Sequence, residues 1–181
     1  MTDGSLVSAR LLVFRVGTLA CAAEVDQVRE ILPRLPTTRI PGAPPVVAGL
    51  VNVRGTLVTV VEGWLALGGS GDQPRPGPPH AASAETSQPA SPDGEGSTLI
   101  LEVAPGVGTA DASAGNGKKL IGFTVDEVMD MVAVADTTLE DRHGLPGVDP
   151  TLVRAVGRRN RGKDLFIVLD VAALLGPILT T

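Results

Sequence analysis

The 181-residue sequence predicts a mainly β protein made of two pseudo-symmetric small barrels that share one hydrophobic core, with short helices. Three observations point there. Val25-Asp26-Gln27-Val28 recurs as Val125-Asp126-Glu127-Val128. TLVTVVEGWLALG matches DLFIVLDVAALLG, which sets Glu62 against Asp170 and Gly68 against Gly176. The 22 glycines and 15 prolines are set among Val- and Leu-rich runs, the pattern of short strands separated by turns. Each repeat is too small to bury a comfortable core by itself, so the two should pack together. The groove between them is then the natural ligand site.

In order, each half reads as strand, strand, short helix, strand, strand and short terminal helix. LLVFRV and TLACAA are apolar runs that suit two buried strands. Val25, Val28, Ile31 and Leu32 then fall at helical spacing, with Asp26, Arg29 and Glu30 left to water. The stretch GLVNVRGTLVTVVE is rich in β-branched residues on both sides of Gly55, which tolerates positive φ. It predicts a hairpin with Arg54 at its tip, Leu50 and Asn52 sharing the Arg54 face, and Val51 and Val53 on the other. In the second half KKLIGFT supplies a strand, and Val125, Val128, Met131 and Val132 repeat the helical spacing. FIVLD and VAALLG supply the last strand and helix.

These elements divide a single domain over 1–181 into a first barrel at 10–67 and a second at 98–176. Between them, residues 68–97 read GGSGDQPRPGPPHAASAETSQPASPDGEGS and lack the aliphatic surface that would offset ordering entropy. That segment is expected to be a flexible linker. The Gly-, Ala- and Ser-rich Pro105–Gly117 reads as an enlarged hairpin loop.

Composition excludes several classes of function. A net charge of -5 argues against broad binding to a phosphate backbone, and 2% aromatic content argues against base-stacking platforms. Cys21 is the single cysteine, which excludes an internal disulfide and any multi-cysteine metal site. LLVFRVGTLAC resembles a lipoprotein signal, but Arg15 interrupts its apolar run. No apolar run reaches the roughly 18 residues of a membrane span. The expected setting is the cytoplasm, without membrane insertion.

Catalytic patterns fail on their particulars. His80 lies in the linker and His143 in EDRHGLPG, neither with metal-ligand neighbours. Asp136-Thr137-Thr138 lacks the glycine of an aspartic-protease motif and has no counterpart in the other half. AGNGKKL lacks the leading glycine and the Ser or Thr of a phosphate-binding loop. Nothing calls for a cofactor. The basic cluster Arg154, Arg158, Arg159, Arg161 and Lys163 suits a solvated hairpin that protects a strand edge better than it suits nucleic acid. An acidic protein partner stays open for it. Arg54 is the sharper candidate: a guanidinium is costly to bury without a partner, so it lies in water, in an internal ion pair, or on a surface reserved for another molecule.

Taken together, LLVFRVG, EVDQVREIL, TTRIPGAPPVVAGLVNVRGTLVTVVE, KLIGFTVDEVMDMV and FIVLDVAALL resemble the CheW family of bacterial chemotaxis coupling proteins, collinearly from Leu11 to Leu175. The resemblance implies two five-stranded SH3-like barrels around a common core, and no catalytic activity. It also implies two partners, the cytoplasmic tip of a methyl-accepting chemoreceptor and the regulatory domain of a chemotaxis-type histidine kinase. The chain would be a monomer by itself and could enter signalling arrays. Family positions for partner contact fall here on Val28, Glu30, Ile31, Thr38, Ile40, Gly49, Asn52, Val53 and Arg54. Departures are Cys21-Ala22 for Tyr-Gly, Thr59 for proline, and Glu62 for aspartate. They leave open a motility or second-messenger pathway other than flagellar chemotaxis.

Overall fold

The computed structural model describes residues 10–69, 96–103, 119–133, 138–140, 148–159 and 164–179. The first repeat supplies β1 (Arg10–Val16), β2 (Leu19–Glu24), β3 (Val28–Pro33), β4 (Val47–Val53), β5 (Thr56–Val61) and α1 (Gly63–Ala66). The second supplies β6 (Ser97–Val103), β7 (Lys119–Val125), β8 (Glu127–Ala133), β9 (Thr138–Glu140), β10 (Val153–Arg159), β11 (Asp164–Leu169) and α2 (Val171–Leu179). The mainly β fold with short helices is as the sequence predicts.

The strands form two sheets, ordered β8-β1-β2-β11-β10-β9 and β3-β6-β7-β5-β4. Exchanging each strand for its repeat partner converts one order into the other, apart from the short extra edge strand β9. The register agrees too. Ala22 lies opposite Val168 in the parallel pair β2–β11, and its repeat counterpart Gly122 lies opposite Val60 in β7–β5. The pseudo-symmetry read from two short sequence matches therefore extends to individual residue pairs.

The sheets do not correspond to the two halves of the chain. Where the repeat leads one to expect barrels at 10–67 and 98–176, the first hairpin of each half is exchanged. β1 and β2 join β10 and β11, while β6 and β7 join β3, β4 and β5. The repeated tetrapeptides are the crossing points. Val25–Gln27 forms a single 3-10 turn between β2 and β3, and Asp126 stands alone between β7 and β8. Asp126 fastens its crossing by accepting from the Gly17 amide through its carboxylate and donating its own amide to the Arg15 carbonyl.

This exchange explains why LLVFRV is apolar on both faces. Leu12, Phe14 and Val16 enter the core shared with Leu99, Ile121, Phe123 and Val125 of the other sheet. Leu11 and Val13 point the opposite way, to a smaller cluster with Ala22, Phe166 and Val168. A strand buried on both sides loses the alternation that marks a half-exposed one. Phe14 and Phe123 meet edge to face across the shared core, their centroids 6.2 Å apart.

The short helices expected from Val25 to Leu32 and from Val125 to Val132 are corrected to the strands β3 and β8. Each strand contains a β-bulge. Val28 pairs with Leu101 and Glu30 with Ile100, which leaves Arg29 as the extra residue. Val128 pairs with Phe14 and Asp130 with Val13, which leaves Met129 in the equivalent place. A bulge adds one residue to a period-two pattern. Residues three apart then share a face, and the spacing imitates a turn of helix.

Several features named from sequence lie outside the described residues: 70–95 of the linker, the Pro105–Gly117 loop, Asp136 and Thr137, both histidines, and Arg161 with Lys163.

Candidate functional site

β3 is an edge strand of its sheet, and it shares a cleft with β1 and β8 of the other. Between them lies an apolar cleft of about 290 Å³, lined by Leu12, Val25, Val28, Arg29, Glu30, Ile31 and Met131. It sits where the two sheets meet. Leu12 forms the buried floor, while Ile31 (45% exposed) and Met131 (51%) stand open to solvent. Ile31 and Met131 are counterparts in the repeat, so the pseudo-symmetry itself sets two large apolar side chains at one opening.

Charge is confined to the rim. Glu30 accepts from Arg54 at 2.6 Å, and Arg29 lies 3.3 Å from Glu102 on β6. The Arg54 side chain remains 81% exposed, so its contact with Glu30 positions the guanidinium without removing it from water. Exposed pairs of this kind contribute about 0–1 kcal/mol to folding.

The local fold presents Arg54 at some cost. β4 and β5 close through the two-residue loop Arg54-Gly55, flanked by the pair Val53–Thr56. Both loop residues have positive φ, 51° at Arg54 and 88° at Gly55, which is the turn that matches strand twist. Glycine is at ease there and arginine is not. Asn52 offsets part of the strain by accepting from the Gly55 amide at 2.8 Å.

Three of the nine sequence candidates therefore line the cleft: Val28, Glu30 and Ile31. Arg54 reaches its rim through Glu30. Asn52 and Val53 build the turn that aims Arg54. Thr38 and Gly49 play a framework part: Thr38 exchanges two backbone hydrogen bonds of 2.8 Å with Leu50. A Cβ on Gly49 would stand 2.4 Å from the Thr38 carbonyl oxygen. Ile40 follows on the same segment, half-buried and outside the cleft lining. Sequence reasoning gave no site role to Leu12, Val25, Arg29 or Met131. The repeat held a signal for Met131, because it aligns with Ile31.

Elsewhere the described chemistry is quiet. Arg154 donates to Glu24, and Arg158 to Glu140 at 3.0 Å, so these members of the basic cluster are engaged internally. Burial pushes the Cys21 thiol up to about 12, which leaves it a poor nucleophile. Among the described residues no group of three or more His, Cys, Asp or Glu could hold a metal ion.

The chain is thus a mainly β protein of two packed sheets, with an apolar cleft at their junction and an exposed arginine at its rim. A sequence profile of the CheW-like domain matches residues 10–177, and the chain belongs to that family. It is 23% identical over 130 residues to a probable chemotaxis protein CheW of Rhizobium etli, covering 72% of this chain and 64% of that protein. It is 36% identical over 64 residues to the chemotaxis protein CheW of Rhizobium meliloti, covering 35% of this chain and 41% of that one. The chain thus spans less than two thirds of the length of both relatives. The crystal structure of the scaffolding protein TtCheW from Thermoanaerobacter tengcongensis has a similar fold, with a TM-score of 0.65 at 16% identity. That likeness covers 93% of this chain and 88% of the other.

Proposed function

We propose that this chain is a non-enzymatic adaptor that joins the cytoplasmic tip of a chemoreceptor to the regulatory domain of a chemotaxis-type histidine kinase, in the cytoplasm. The observation that carries the reading is the open cleft between β3, β1 and β8, with Arg54 held solvent-exposed at its rim. Receptor tips of this class are helical. A helix could lay an apolar stripe over Val28, Ile31 and Met131, in the manner of helix-in-groove recognition. Arg54 would then exchange Glu30, or share it, for a carboxylate or carbonyl of the partner, a charge-assisted bond. The Rhizobium relatives bear chemotaxis names, and the family match extends over nearly the whole chain.

The test is a calorimetric titration of the purified chain against receptor-tip fragments and against the regulatory domains of kinases from the same cell. Micromolar binding to one receptor and one kinase is the expected result, and the kinase selected identifies the pathway. Uniform failure against every receptor and kinase would overturn the reading.

A further inference from the structure

The sequence has three methionines, and the two internal ones, Met129 and Met131, both lie on the edge strand β8. This is an unusual placement, since methionine ordinarily fills gaps in cores. The described core is built of Leu, Val, Ile, Phe and Ala with the single cysteine, and contains no methionine. The two residues are similarly open to water, at 42% and 51%. They differ in their surroundings. Met131 lines the cleft beside Ile31 and Leu12, whereas Met129 is the bulge residue and lies outside the lining.

We propose that Met131 is an oxidation site that closes the cleft to apolar partners, a regulation that rests on the docking reading above. A peroxide transfers one oxygen atom to the thioether sulfur. Methionine becomes methionine sulfoxide, the sulfur loses two electrons, the O–O bond breaks and the peroxide leaves as water or alcohol. The product is polar and accepts hydrogen bonds strongly, so its oxygen must be desolvated before an apolar side chain can occupy the cleft. Reduction of the sulfoxide restores the thioether. The effect depends on location, because the same change at Met129 leaves the cleft lining as it was.

Met129 therefore serves as an internal control. Met129→Leu and Met131→Leu proteins are treated with hydrogen peroxide, and the oxidation of each remaining methionine is located by peptide mass spectrometry. Binding is then read with two probes, the apolar dye anilinonaphthalene sulfonate and a receptor-tip fragment. The expected result is a loss of about fivefold or more in dye affinity when Met131 is oxidised in Met129→Leu. No loss is expected on oxidation of Met131→Leu, and circular dichroism should be unchanged in both. Dye binding that is indifferent to Met131 oxidation would overturn the proposal. So would failure of the dye to bind the reduced protein, since there would then be no open apolar cleft to close. If the dye responds while the receptor fragment never binds, the docking reading fails and the oxidation site stands.

Discussion

The Arg54 guanidinium and the Glu30 carboxylate meet at 2.6 Å, joining the tip of the β4–β5 hairpin to the edge strand β3 while the arginine stays 81% in water. The pair fixes the position of the guanidinium and contributes little to the fold. Arg54→Ala should weaken receptor-tip binding by about 2 kcal/mol, or roughly thirtyfold in Kd. The urea midpoint should move little, because an exposed ion pair is lost while some backbone strain at positive φ persists. Equal losses of binding and stability would make the pair structural.

Arg54→Asn separates strain from recognition. Asparagine adopts the left-handed conformation more readily than arginine, so stability should hold within about 1 kcal/mol or rise slightly. Binding should fall as it does for Arg54→Ala. Chemical denaturation alongside calorimetry tests both halves of the statement.

Ile31 is exposed enough to be changed without opening the core. Ile31→Asp should remove receptor-tip binding and shift the melting temperature by no more than a few degrees, in keeping with substitutions away from buried positions. A collapse of the melting transition would show that the cleft wall is a stability element.

Gly49 behaves in the opposite way. A Cβ there would approach the Thr38 carbonyl oxygen to 2.4 Å, on a backbone with φ of 149°. Gly49→Ala should therefore cost more than about 2 kcal/mol of stability, and any loss of partner binding should follow from that. Binding measured on the folded fraction at low temperature distinguishes this from a contact role.

Cys21 gives a pH test. Its thiol is neutral in the fold up to about 12, against an ordinary value of 9.0. Below pH 9 both folded and unfolded thiols are protonated, and the stabilisation is fully present. As pH rises further the unfolded thiol ionises first, so this contribution is lost progressively toward pH 12. In native buffer at pH 8, alkylation of Cys21 should proceed at the rate of unfolding. Fast alkylation would place the thiol at the surface.

The repeat made the fold class legible, because the strand order of one sheet maps onto the other through it. The hairpin at Asn52-Val53-Arg54-Gly55 was equally readable, since few sequences reverse direction in two residues. The sequences of β3 and β8 imitate helices because the bulges at Arg29 and Met129 reset the alternation. The exchange of hairpins left no local trace: pairing between Ala22 and Val168 is a property of distant segments. For the same reason Leu12 and Arg29 could not be assigned to the cleft. Their roles depend on what β8 and β6 bring opposite them.

The exchanged hairpins also give a symmetric product an unsymmetric history during synthesis. The sheet that contains β3 through β7 draws all its strands from residues 28–125 and can close while the chain is still emerging from the ribosome. β1 and β2 emerge earlier, but β1 must wait for β8 and β2 for β11, as Cys21 pairs with Ile167. Such distant pairing slows folding and prolongs the exposure of unpaired edges. LLVFRV, buried on both faces in the finished fold, is thus a stretch that nascent-chain chaperones would need to shield until β8 emerges.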